Sequence, residues 1–380
     1  MKLFNISKTQ ISFFFILFIN FLFLIKYGIR LTPFFVFLAL GILGIYYLIW
    51  RKQTLIFNFK NERLLKISNP IMLLGFIGFS VLVFHFLPQE QLNVDRWSVI
   101  SSFWDNFFER KYAYFAKSHM GNHPGPMPFY FILALPFYFV GDLGYFSLIG
   151  LLVFYFILYY SKEFVRTRTL MLFLLLISAF YLWEVVTRSN IFTNSSLVLF
   201  SIFYFLKSNT DNNFKHLFIN GLIIGLLLST RNVFVIPYSI LMLYLIKNKK
   251  IKFHKILTLA LIVITTFALT FLPFIVNHFS DFLLLNPFVI QSSYLMPAWL
   301  SVFCIFASLG LYFFIRNTQD VYFYSGISLF FTISVYFIWE IYFYGFQSAY
   351  FGNKADISYF ILCIPFFLYF LLQNPGQKTE

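Results

Sequence analysis

Apolar residues fall in long unbroken runs along the whole chain, near 11–26, 33–50, 70–87, 145–160, 169–186, 190–206, 216–229, 232–246, 256–276, 296–315, 321–343 and 356–373. These lengths approach the ~20 residues needed to cross hydrocarbon as a helix. A chain in lipid must satisfy its backbone internally, so helices and closed barrels are the only spanning structures. The runs do not alternate apolar with polar, which selects helices. The pattern predicts an all-α, polytopic transmembrane bundle of about twelve spans. It forms a single domain over 1–380: three N-terminal spans in 1–87, a large polar loop in 88–144, and the remaining spans in 145–373. The first run follows Lys2 and Lys8 as a signal peptide would. It lacks a small-residue cleavage site and precedes further spans, so it reads as an uncleaved helix.

Composition sharpens this. The chain is 60% hydrophobic and only 11% charged, with mean hydropathy +0.79. That is too little charge to cover a water-soluble surface, where roughly 25% is usual. The 59 Phe residues read as lipid-facing substitutes for Leu. Cys304 and Cys363 fall inside predicted spans and read as small apolar core residues.

The net charge of +14 is explained by sidedness. With the N-terminus in the cytoplasm, the basic residues of the inner segments are Lys2, Lys8, Arg51, Lys52, Lys60, Arg63, Lys66, Lys162, Arg166, Arg168, Lys207, Lys215, Lys247, Lys249, Lys250, Lys252, Lys255, Arg316 and Lys378. The outer side holds 9 against these 19: Lys26, Arg30, Arg96, Arg110, Lys111, Lys117, Arg188, Arg231 and Lys354. The positive-inside rule then predicts a multi-pass protein of the cytoplasmic membrane with both termini cytoplasmic, and no nucleic-acid partner. Carboxylates behave otherwise. Glu90, Asp95, Asp105, Glu109, Asp142, Glu184, Asp281, Glu340 and Asp356 gather at the outer ends of spans or beyond them, leaving Glu62, Glu163, Asp211, Asp320 and Glu380 inside. Acidic residues contribute little to topology, and a carboxylate in the bilayer usually faces protein or a wet cavity. An outward-facing polar cavity is the economical explanation.

The longest polar stretch, 88–127, carries the chemistry. From Trp97 to about Phe115, aromatic and aliphatic residues recur at three- and four-residue spacing opposite Ser101, Ser102, Asp105, Asn106, Glu109 and Arg110. This predicts an amphipathic helix in the membrane interface, serving either as an anchor or as a lid. His119 and His123 follow on a Gly- and Pro-rich loop, as metal ligands, general bases or plain surface residues. The run 129–140 is short for a span and reads as a re-entrant or interfacial helix ending at Gly141-Asp142.

An acidic residue near the start of a large outer loop (Asp95), amphipathic helices, the block His123-Pro124-Gly125-Pro126-Met127-Pro128-Phe129-Tyr130-Phe131 and a Gly-Asp turn together resemble the C-type (GT-C) integral membrane glycosyltransferases. Ser229-Thr230-Arg231, Asn286-Pro287-Phe288 and Asp356-Ile357-Ser358-Tyr359-Phe360 add to the likeness. The resemblance covers most of the chain in layout and only these stretches in residues. It implies transfer of a hexosyl or pentosyl group, with inversion, from a polyprenyl-phosphate donor to a lipid, glycan or protein acceptor. Other membrane lipids are the remaining partners. Asp95 would be the base. Arg96, Lys117, His119, His123, Glu184, Arg188, Arg231, Asn286 and Asp356 would line the substrate site. The sequence departs from the family where three spans precede Asp95 and where Arg96, not a second acid, follows it. This leaves a divalent metal open.

The residue types suit that chemistry. A carboxylate within reach of an acceptor hydroxyl supplies general-base catalysis, although Asp95 is also a good helix N-cap. Arginine matches phosphate oxygens with a planar fork, so Arg231 is either a phosphate donor or a residue snorkelling to headgroups. Glu184 and Arg188, spaced i, i+4, suggest a structural ion pair. The rival classes are a transporter or flippase, which calls for helix breaks and ionisable groups near mid-membrane, and a non-catalytic scaffold.

Overall fold

The computed structural model describes residues 7–32, 34–52, 62–161, 163–208, 214–294, 296–352 and 354–374. Lys2, Lys60, Lys162, Asp211, Lys378 and Glu380 lie outside the described residues. Among the described residues the chain is all helical, with no strand. Each of the apolar runs carries helix. Four are long and apolar enough to cross a membrane alone: α1 (Lys8–Gly28), α3 (Glu62–Phe86), Phe253–Ile275 and Thr318–Phe351. A fifth arises if α7 (Val165–Leu176) and α8 (Ala179–Val186), bent by 58° at their junction, count as one span. The others, such as α2 (Phe35–Arg51), α6 (Gly144–Tyr160) and α9 (Ile191–Lys207), are apolar but shorter. At 1.5 Å per residue, a 17-residue helix reaches only about 26 Å.

Helix α1 is the spine. At its first residue Lys8 pairs with Asp320, which also accepts from the Arg316 and Asn317 amides at 2.7 and 3.2 Å. Near its other end, Tyr350 Oη donates to the Leu22 carbonyl at 2.7 Å. Midway, the buried Asn20 Oδ1 accepts the Ala179 amide at 2.8 Å. This bond satisfies the first amide of α8, which the break between α7 and α8 would otherwise leave without a helical partner. An apolar setting tolerates a broken helix on that condition. Cys304 and Cys363 are free and buried.

Small residues let helices close up. A Cβ on Gly150 would meet Thr193 Cα at 2.6 Å, so the backbones of α6 and α9 approach closely at this point. Thr193 Oγ1 crosses the same gap to the Phe146 and Ser147 carbonyls at 3.0 and 3.3 Å.

The polar loop differs from its sequence reading. The expected helix from 97 to about 115 stops early: α4 spans Arg96–Phe108, Arg110 turns into the left-handed region at φ 59°, and a short 3-10 turn covers Ala113–Phe115. Most of its apolar side is not free. Ile100, Phe103 and Trp104 form a second core with Tyr114, Phe131 and Phe274, and Phe103 stacks on Phe131 at 3.7 Å between centroids. The run expected as a short helix is α5 (Pro128–Val140), opened by Pro128 and closed by Gly141 at φ 91°.

Gly150→Leu is expected to lower the melting temperature in detergent, at a cost of about 1–3 kcal/mol for overpacking the α6–α9 contact. A melt unchanged from wild type would contradict this packing.

Candidate functional site

The sequence places Asp95 and Arg96 side by side at the start of α4, and their side chains part. Asp95 is half-buried and turns toward the loop, where its Oδ2 accepts from Ser118 Oγ at 3.0 Å and Asn122 Nδ2 at 2.6 Å. It caps no helix amide, so the N-cap alternative fails for the side chain. The backbone carbonyl instead takes the Val99 amide at 2.8 Å.

Arg96 turns into the bundle. Its guanidinium pairs with Asp356, donates to Ser358 Oγ and to Ser189 Oγ (2.9 Å), and lies 5.3 Å from the Trp183 ring. Asp356 in turn accepts from the Ser358 amide at 3.0 Å and from its hydroxyl. Burial acts to raise the Asp356 carboxyl, but Arg96 and the Ser358 hydroxyl and amide outweigh it and hold the group below its ordinary value.

Three of the motifs that carried the family resemblance meet here: the Pro-rich block, Ser229-Thr230-Arg231 and the stretch that opens at Asp356. The amides of Met127 and Phe129, in the Pro-rich block, donate to the carbonyls of Thr230 and Ser229 at 3.1 and 2.8 Å. That contact sets Arg231 between Tyr130 and Tyr359, 5.5 and 5.8 Å from their ring centroids. Arg231 Nε is buried without a hydrogen-bond partner. Glu184 is fully buried. Its Oε1 accepts the Phe192 amide at the start of α9 at 2.8 Å, and its Oε2 is unpartnered. Glu184 lies within electrostatic reach of both Arg96 and Arg231. Arg96, Arg231, Glu184 and Asp356 therefore border one region, and the Asp95 carboxylate faces the loop from the start of the helix that carries Arg96.

Other expected site residues do different work. Glu184 and Arg188 form no pair. Arg188, at φ 55°, is turned away and fully buried, with Nε and Nη2 bonded to Asp142 at 3.3 and 3.1 Å and further bonds to the carbonyls of Phe84, Leu87 and Val186. It braces the end of α3 against the Gly141-Asp142 turn. Asn286 is spent on local structure: its Oδ1 accepts the Phe288 and Val289 amides at 3.1 Å each, and its Nδ2 donates to the Phe282 carbonyl at 3.0 Å. His119 stacks on Trp97 and shares a 2.7 Å bond between its Nδ1 and Ser98 Oγ. His123 Nδ1 sits 3.0 Å from the Ala116 carbonyl. Both fasten the loop that holds Asp95. Lys117 is exposed. Among the described residues no three His, Cys, Asp or Glu side chains gather as a metal centre would require.

Sequence reasoning missed the stretch 187–196. Thr187, Arg188, Ser189, Asn190, Thr193, Asn194, Ser195 and Ser196 are all buried, and Ser189 is an Arg96 partner. The signal was available: a dense polar run opening an apolar helix is costly in lipid unless protein surrounds it. Lys26, counted only for topology, is also buried here, its ammonium 3.4 Å from the Ala355 carbonyl.

No protein-family model, curated protein or solved structure matches the chain.

The lowered Asp356 fixes a pH dependence. Its contribution to stability is fully present above the ordinary aspartate value of 3.8 and is lost as pH falls through its lower folded value. The melting-temperature difference between wild type and Asp356→Asn is therefore expected to hold from neutral pH to about pH 4 and to close only below it. A difference already shrinking between about pH 6 and 4 would contradict the pairing.

Proposed function

We propose that the chain is an integral membrane glycosyltransferase that moves a sugar from a polyprenyl-phosphate donor to a hydroxyl-bearing acceptor on the non-cytoplasmic side. The observation that carries this reading is the Asp95 carboxylate. It is half-buried, takes no part in helix capping, is held by Ser118 and Asn122, and precedes in sequence Arg96, which with Arg231 acts on Glu184 in a cationic region. In the reaction, Asp95 takes the acceptor proton as the acceptor oxygen bonds to the anomeric carbon from the face opposite the carrier. The bond from that carbon to the phosphate oxygen breaks, and its electron pair leaves on the phosphate. Arg231, with an unpartnered Nε, is the group to meet that charge.

The topology belongs to the same proposal. The apolar runs form about twelve spans, tilted little because most are short. The basic residues set both termini in the cytoplasm. The exposed edge of Phe108, Phe115, Phe139 and Val140 beside α4 and α5 rests in the outer interface.

A transporter or flippase is the second reading, favoured by one feature. The α7–α8 break capped by Asn20 is the discontinuous helix that transporters place at a midplane site.

Asp95→Asn preserves shape and removes the base. In proteoliposomes supplied with radiolabelled polyprenyl-phosphoryl sugars, transfer to acceptor is expected to fall by ~10²–10⁴-fold while membrane insertion stays intact. Full transfer by the variant would remove Asp95 from the mechanism. Movement of the labelled lipid between leaflets, with no new glycosidic bond, would favour the second reading.

A further inference from the structure

We propose that the Arg96–Asp356 contact is an anion seat occupied from within, and that a ligand phosphate displaces the Asp356 carboxylate to take Arg96, with Lys26, Ser189 and Ser358 completing its shell. This deepens the glycosyl-transfer reading, and rests on it for the identity of the phosphate as that of the lipid carrier.

The donor set is that of an oxyanion site. Around the Asp356 carboxylate stand the Arg96 guanidinium and both the hydroxyl and the amide of Ser358. Ser189 Oγ lies on the neighbouring arm of the same guanidinium. Arg96 is thus already turned toward an anion, and its fork suits phosphate oxygens as well as carboxylate ones.

Charge balance argues for a second anion. Lys26 and Arg96 act electrostatically on Asp356, Arg30 and Arg96 act on the adjoining Tyr27, and Arg96 and Arg231 act on Glu184. Three cationic groups, Lys26, Arg96 and Arg231, thus share two carboxylates, Asp356 and Glu184, with Arg30 close by at Tyr27. Lys26 is the least well served of these cations. Its side chain is buried, and its ammonium makes one long contact, at 3.4 Å, to a neutral carbonyl. A buried ammonium is costly unless an anion and hydrogen bonds offset its lost hydration. A phosphate beside Ser358 would provide both.

The seat can also be reached. The Asp356 side chain is 37% exposed while its Arg96 partner is 14% exposed, so Asp356 is the more accessible member of the pair. Asp356 can swing outward without moving Arg96, which Ser189 and the Trp183 ring still hold. An internal competitor lowers apparent affinity by the fraction of time the seat is filled, so removing its charge should tighten binding.

The test uses the full chain in nanodiscs, with farnesyl phosphate and inorganic phosphate as probes and binding read by calorimetry. Asp356→Asn is expected to tighten farnesyl phosphate binding about tenfold, and Arg96→Gln and Lys26→Met each to weaken it about tenfold. Unchanged or weaker binding by an Asp356→Asn protein that is folded at the assay temperature would overturn the seat. Should that variant not fold, unchanged affinity in Lys26→Met would overturn it. Inorganic phosphate binding as tightly as farnesyl phosphate would overturn the lipid carrier as its source. The two readings fail separately. Phosphate binding that follows these variants without any sugar transfer removes the enzyme and keeps the seat, whereas measurable transfer with binding indifferent to Lys26 and Asp356 removes only the seat.

Discussion

A guanidinium taken out of water must have its N–H groups bonded and its charge matched. Arg96 meets this condition by reaching across the molecule to Asp356, Ser358 and Ser189. One side chain thus ties the start of α4 to the turn before α9 and to the opening of the last helix. Because successive residues at a helix start point in different directions, fixing Arg96 inward fixes Asp95 outward, against Ser118 and Asn122. The position of the proposed base is a consequence of where the neighbouring charge is bonded.

The same requirement explains the polar residues buried around the site. Arg188 is satisfied by Asp142 and three backbone carbonyls, and in the process locks the end of α3 to the Gly141-Asp142 turn. Asn20 satisfies the broken helix at Ala179. Glu184 uses one oxygen on the Phe192 amide, at the positive end of α9. Beside these satisfied groups stand a few that are not: Glu184 Oε2, Asn190 Nδ2, Asn194 Oδ1 and Arg231 Nε. Buried polar atoms are nearly always bonded, so the unpartnered Glu184 Oε2 and Arg231 Nε, in residues that act on each other electrostatically, are where a polar ligand has most to offer.

Much of this was legible in the residues because it depends on local pattern. Uninterrupted apolar runs specify helices, and Pro128 and Gly141 bound α5 by their fixed and left-handed backbones. The residue pattern puts Asp95, Arg96, Arg231 and Asp356 among ten candidates, with Lys117, His119, His123, Glu184, Arg188 and Asn286, and does not separate them. What could not be read was direction. Glu184 and Arg188 have helical spacing, but the backbone leaves the helix at Thr187 and Arg188 takes a positive φ, so the spacing argument lapses. Arg110 ends α4 by the same means. Asn286, plausible as a ligand in an outer loop, is consumed as a cap. Lys26 and Ser189 act through contacts with Ala355 and Arg96, far from them in sequence, which no local pattern announces.

If the cationic region organised by Arg96 holds a phosphate-bearing polyprenyl lipid, as proposed, native mass spectrometry of the protein released from its own membranes tests this without assuming a sugar or an acceptor. The expected spectrum has a bound mass matching a polyprenyl phosphate, bare or glycosylated, on the wild type and loses it in Arg96→Gln. A wild type carrying only ordinary phospholipids, or an adduct indifferent to Arg96, would contradict it.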